Sequence, residues 1–112
     1  MVIFLILNLL HYFQKKFFEL EDFENKNSKK VKRNALEVFY LLFNIFSTGV
    51  SNRKTDSEAS RYIFYNIAPY YLSFDLLEIK KLPNSPVQRI QTTKLGNSFY
   101  SMMELKMQQN TK

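Results

Sequence analysis

The sequence predicts a mainly α domain that carries one small β-hairpin and an extra helix at its N-terminus. Three observations lead there. Apolar residues recur every three or four positions over most of the chain, as in amphipathic helices. One segment, "EIKKLPNSPVQRIQTT", breaks that rhythm, with two short alternating runs around a Pro-Asn-Ser-Pro turn. Directly after it, "TTKLGNSFYSMMELK" returns to helical spacing, starting from threonine and one of only two glycines.

Taken in order, Val2 to Glu24 is expected as a single helix, with Leu9, Leu10, Phe13, Phe17 and Leu20 at helical spacing. Val2 to Leu7 is apolar all round and calls for cover by another helix or a second subunit. Asn8 and His11 interrupt the run, leaving it short of the ~20 apolar residues of a membrane span. Positive charge follows the apolar stretch and no small-residue cleavage site comes after it, unlike a signal peptide. Asn25 to Arg33 reads as a linker or frayed turn.

The next helix opens at Asn34, whose side chain is placed to cap it, with Glu37 completing a capping box. Ala35, Val38, Phe39, Leu42, Ile45 and Phe46 form its core stripe, and Gly49 ends it with a left-handed cap. A polar loop over Asn52 to Lys54 leads to a second capping-box match at Thr55 and Glu58. Ala59, Ile63 and Ile67, with Tyr62 nearby, then point inward. Pro69 is expected to end that helix at or before Ala68 and to start a short one over "PYYLSFDLLE". Its apolar set is Tyr71, Leu72, Phe74, Leu76 and Leu77. The hairpin follows, with strands Leu77–Leu82 and Val87–Thr92. Thr93 caps a last helix that buries Leu95, Phe99, Met102, Met103 and Met107.

Composition narrows the chemistry. Cysteine is absent, which removes disulfides and thiolate metal sites. With two glycines there is no glycine-rich phosphate loop, and the single histidine, His11, lies in an apolar helix. Asp56, Glu58, Asp75 and Glu78 are spaced as caps and surface charges. No catalytic residue, cofactor or metal ligand is expected, and the chain is read as a non-enzyme. The net charge of +6 gathers in two blocks: residues 26–33 and 80–112 carry about +5 each, and residues 1–25 and 34–79 about −2 each. Such blocks favour a polyanion, either nucleic acid or an anionic membrane surface.

The junction "VQRIQTTKLGNSFYSMMELK" resembles the passage from wing to last helix in winged-helix regulators of archaea and bacteria. The residues that carry the resemblance are Ile90, Thr93, Gly96 and Phe99, with Tyr100 beside it. "YLSFDLLEI" likewise looks like the end of a recognition helix entering the first wing strand. The resemblance covers residues 34–108 and implies a winged helix-turn-helix. Residues 1–33 would be an N-terminal apolar helix and basic linker serving dimerisation, and 109–112 a disordered tail. The stretch in the recognition-helix place departs from the family: it is short, broken at Pro69, and exposes Tyr70, Ser73 and Asn66 next to the acidic Asp75.

What the resemblance implies is a small cytoplasmic, nucleoid-associated transcriptional regulator. It would bind double-stranded DNA as a homodimer paired through the N-terminal helix. Arg53, Lys54, Thr55 and Ser57 would meet phosphates at the start of the middle helix, and Arg61 would face a groove one turn later. Lys80, Lys81 and Arg89 would lie on the wing strands and Lys94 at the start of the last helix. Lys29, Lys30, Lys32 and Arg33 form a further basic cluster, either a second phosphate anchor, a membrane patch or a plain charged linker. The aromatic run Tyr62, Phe64, Tyr65, Tyr70, Tyr71 and Phe74 is assigned mainly to core packing rather than base stacking. The alternative function is a winged-helix module that docks another protein, or lies on a membrane, without binding DNA.

Overall fold

A computed structural model of the chain describes residues 2–21, 30–53 and 57–110. In order, the elements are α1 (Val2–Lys15), β1 (Phe17–Glu21), β2 (Lys30–Asn34), α2 (Ala35–Thr48), β3 (Val50–Ser51), α3 (Glu58–Tyr62), a π-helical turn (Ile63–Ile67), α4 (Ala68–Leu72), β4 (Leu77–Lys81), β5 (Gln88–Thr92) and α5 (Lys94–Asn110). The architecture is α/β, with two small antiparallel sheets among the described residues. Two compact units divide the chain, Met1–Leu41 and Leu42–Lys112, with the division falling inside α2.

In the first unit, Leu9, Leu10, Phe13, Ala35, Val38 and Phe39 are buried. The expected helix through Glu24 stops instead at Lys15, and Phe17 and Leu20 belong to β1. "FFELE" alternates as a strand should: Phe17 and Glu19 are exposed, Phe18 and Leu20 half-buried. Its partner is the stretch read as a linker, since Lys30–Asn34 is β2. The antiparallel register sets Glu19 opposite Lys32, and opposite charges across a ladder reward that pairing. A run this short fits periods of both 2 and 3.6, so spacing alone favoured the wrong element. At the start of α2 the Asn34 side-chain oxygen accepts from the Glu37 amide at 2.9 Å, as expected of the cap. Burial of Ile45 was not realised; it is 40% exposed.

In the second unit the buried set includes Phe46, Val50, Ile63, Phe64, Ile67, Tyr71, Leu76, Leu77, Ile90, Phe99 and Met103. Gly49, at φ +111°, ends α2 in a conformation that side-chain-bearing residues avoid, and its amide donates to Ile45 at 2.9 Å. The chain passes straight into β3, a two-residue strand that precedes the polar loop expected from Asn52 and to which the sequence pattern assigns no element. The strands order as β3-β5-β4, all antiparallel, with Val50, Ile90 and Ile79 in one row. The hairpin is where the sequence placed it, one residue shorter on each side.

Three helical expectations need correction. The cap of α3 is Ser57, whose side chain accepts from the Ser60 amide at 3.1 Å, while Thr55 lies outside the described residues. Tyr62 is 44% exposed, and Phe64 takes the inward place instead. Pro69 stands in the first turn of the short helix expected from it, α4, but the chain stays helical up to it and α4 ends at Leu72, well short of Glu78. Proline lacks an N–H and its ring opposes the carbonyl four residues back. Here the chain widens to a π turn just before it, with the Ala68 amide donating to Ile63 five residues back, and helix continues to Leu72. At the far terminus α5 runs through Asn110, into the tail expected to be disordered.

The run closes with a Schellman motif: Leu76 donates to Tyr71 at 3.2 Å and Asp75 to Leu72 at 3.1 Å, with Asp75 left-handed at φ 61°. This gives Asp75 a conformational role at the helix end. Thr93 locks the other side of the junction. Its amide donates to the Leu76 carbonyl at 3.1 Å and its hydroxyl to the Asp75 carbonyl at 2.6 Å, while the same hydroxyl accepts from the Gly96 amide at 3.0 Å. A strand ends at Thr-Thr-Lys-Leu-Gly because the threonine caps α5 while tying it to the end of the preceding helix.

Burial, and next the neighbouring Tyr70, pushes the Tyr71 phenol far above its ordinary 10.0. A phenol that holds its proton more tightly folded than unfolded lends stability that is whole below the unfolded pKa. That stability is lost as pH rises above about 10. Urea midpoints measured from about pH 8 to about pH 11 are expected to fall more steeply for the native chain than for Tyr71→Phe. Parallel declines would remove Tyr71 as the source.

Candidate nucleic-acid interface

The three-stranded sheet brings most of the described candidate cations together. Cross-strand rows run Val50–Ile90–Ile79, then Ser51–Arg89–Lys80. One position further, Lys81 faces Gln88, and Asn52 holds Gln88 from the other side. The Asn52 amide donates to the Gln88 carbonyl at 3.3 Å, and the Gln88 amide donates to the Asn52 side-chain oxygen at 2.9 Å. Arg53 follows Asn52 directly. Arg53, Lys80, Lys81 and Arg89 therefore sit within a few residues of one end of the sheet, delivered by three separate stretches of chain.

Alternation sorts them by face. Arg89 and Lys80 stand directly opposite each other on the face turned away from the Ile90 row, together with Glu78, Gln91 and Ser51. Lys81 lies on the Ile90 side, beyond the buried part of that row. Two like charges facing across a ladder repel. Glu78, 3.7 Å from the Lys80 ammonium, offsets part of that repulsion, although both side chains are half exposed and solvent screens the pair. Arg89 is half-buried because its stem lies over Gly49; a Cβ there would come within 2.7 Å of the Arg89 Cδ. Gly49 thus serves both the helix end and the bed of an arginine. Gln91 braces the same strand, its amide donating to the Ser47 carbonyl at 2.8 Å.

The remaining candidates fall elsewhere. Lys94, exposed, opens α5 at the opposite end of β5, away from Arg53 and Lys81. Arg61 is exposed on α3, and Ser57 is engaged as its cap. Lys54 and Thr55 lie outside the described residues. In the other basic cluster, the Lys32 ammonium rests 5.0 Å from the Phe17 ring centroid and opposite Glu19, and Arg33 pairs with Glu37 at 3.5 Å. Those two charges have partners within their own unit, which weakens the cluster as an anion anchor. Lys29 is outside the described residues.

The sequence announced Gly49 as a helix end, but neither its second role as the bed of Arg89 nor the bracing of β5 by Asn52. The only trace was a β-branched Val50 just past a helix-ending glycine, too little to announce a strand. Among the described residues no group of three or more His, Cys, Asp or Glu is placed to hold a metal, and no helix is long and apolar enough to cross a membrane. No family model, curated protein or solved structure matches the chain.

Proposed function

We propose that the chain is a duplex-DNA-binding protein built on a winged helix over residues 34–108, acting as a small dimeric transcriptional regulator. The order of helix, short strand, helical run, hairpin and closing helix supports the winged-helix reading, as does the β3-β5-β4 sheet. The helical run Glu58–Leu72 passes through a π turn where a helix-turn-helix would have its turn. The wing therefore carries the assignment more than the helices do. The observation behind it is the gathering of Arg53, Lys80, Lys81 and Arg89 at one end of the sheet.

Phosphate contacts release counterions, so affinity falls with salt in proportion to their number. Four such contacts give a log–log slope of about −3 to −4, or roughly 100-fold weaker binding between 50 and 200 mM salt. Fluorescence anisotropy with a labelled duplex across a salt series measures that slope, and light scattering of the complex reads two chains per duplex. Absence of duplex binding at low salt would overturn the proposal and leave the protein-docking reading.

A further inference from the structure

Resting on the duplex-binding reading above, we infer that the protein grips DNA through the wing end of its sheet and is indifferent to base sequence. Reading bases in the major groove takes side chains that present two polar atoms at once: arginine or lysine to guanine, asparagine or glutamine to adenine. Along Glu58–Leu72 the exposed side chains include Glu58, Arg61, Tyr62, Tyr65, Asn66 and Pro69. Arg61 is the only cation in that run, one turn from the acidic Glu58.

The one exposed carboxamide of the run is turned onto its own helix. The Asn66 amide donates to the Tyr62 carbonyl at 3.2 Å. Just past the run, the Ser73 hydroxyl donates to the Tyr70 carbonyl. At its start, Ser57 is occupied as the cap, with its hydroxyl 3.1 Å from that of Ser60. The bond to Tyr62 takes one of the two N–H groups of the Asn66 amide and ties its orientation to the helix, so turning the amide to suit a base costs part of what the contact gains.

The wing presents the opposite chemistry. Arg53, Lys80, Lys81 and Arg89 gather charge at one end of the sheet, and the connecting turn, Pro83-Asn84-Ser85-Pro86, is uncharged. Asn84 holds a left-handed φ of 57°, and the turn is closed by Leu82 donating to Val87 at 3.5 Å. Arg89 is the most fixed of the four, with its stem laid on Gly49. Charges held on a braced sheet match phosphates, whose spacing is common to every duplex.

The test is selection of bound duplexes from a random-sequence library of one length, followed by competition between individual duplexes. The expected result is no enriched motif and affinities that agree within about 3-fold, since one good bidentate base contact would separate them by roughly 5- to 150-fold. Arg53→Gln with Lys81→Gln, both at exposed positions, is expected to flatten the salt slope by about 2 for every duplex alike. Adding Arg89→Gln should flatten it by about 1 more, with circular dichroism confirming the fold. An enriched motif preferred more than about 10-fold would overturn this inference while leaving duplex binding intact, and its loss in Asn66→Ala, Arg61→Gln, Arg53→Gln or Arg89→Gln would identify the side chain that reads it. Failure to bind any duplex at low salt would remove both readings.

Discussion

Replacing Gly96 by alanine is expected to destabilise the protein by about 3 kcal/mol or more, and to lower its melting temperature by roughly 10–15 °C. Helix propensity alone argues for the reverse, since alanine in a helix interior is favoured over glycine by about 1 kcal/mol. The decisive fact is the neighbour. A Cβ at Gly96 would land on the backbone carbonyl oxygen of Leu76. That carbonyl also accepts the Thr93 amide, so it has little freedom to retreat. The new methyl must either push α5 off the junction or break the Thr93 bonds. Thermal unfolding followed by circular dichroism checks it, and a rise in melting temperature would show that α5 does not approach this closely.

Phe99→Ala is expected to cost about 3–5 kcal/mol, as large-to-small changes at fully buried aromatic positions do. Phe99 has no exposed surface and lies one helical turn from both Gly96 and Met103, both buried. Phe43→Ala removes the same atoms from a half-buried ring stacked on Tyr100 at a centroid distance of 3.7 Å, and is expected to cost nearer 1 kcal/mol. Denaturant midpoints of the two variants should differ accordingly. Equal losses would mean that burial at the two positions is not as described. Since small domains are stable by only about 5–15 kcal/mol, Phe99→Ala would leave a large unfolded fraction on warming.

Much of the second unit was legible in the sequence because several local signals agreed there. At the hairpin, alternation, the Pro-Asn-Ser-Pro turn and the threonine cap point to one answer, and Ile90, Thr93, Gly96 and Phe99 occupy the places their chemistry suggested. Elsewhere the signals were ambiguous or the answer was tertiary. Phe17 and Leu20 fit helical spacing and strand alternation alike, and only their partners across the ladder decide. Pro69 is a helix breaker in an α register but is accommodated by a π turn, which leaves no composition mark of its own. Of the candidate site, the cations were read from charge and position. Their sorting into a cluster at one sheet end and the isolated Lys94 depended on register, which one sequence does not reveal.

Lys80 and Lys81 have a second consequence. A small sheet offers unpaired backbone groups along its two outermost strands, where another copy can dock and propagate into aggregates. In the β3-β5-β4 order those strands are β3 and β4. β3 spans two residues, too short to template a foreign strand, and β4 ends in adjacent lysines pointing to opposite faces, with Pro83 two residues on. The side chains proposed to meet phosphate thus also discourage strand-to-strand docking at the edges of this sheet, a constraint that acts whether or not DNA is present.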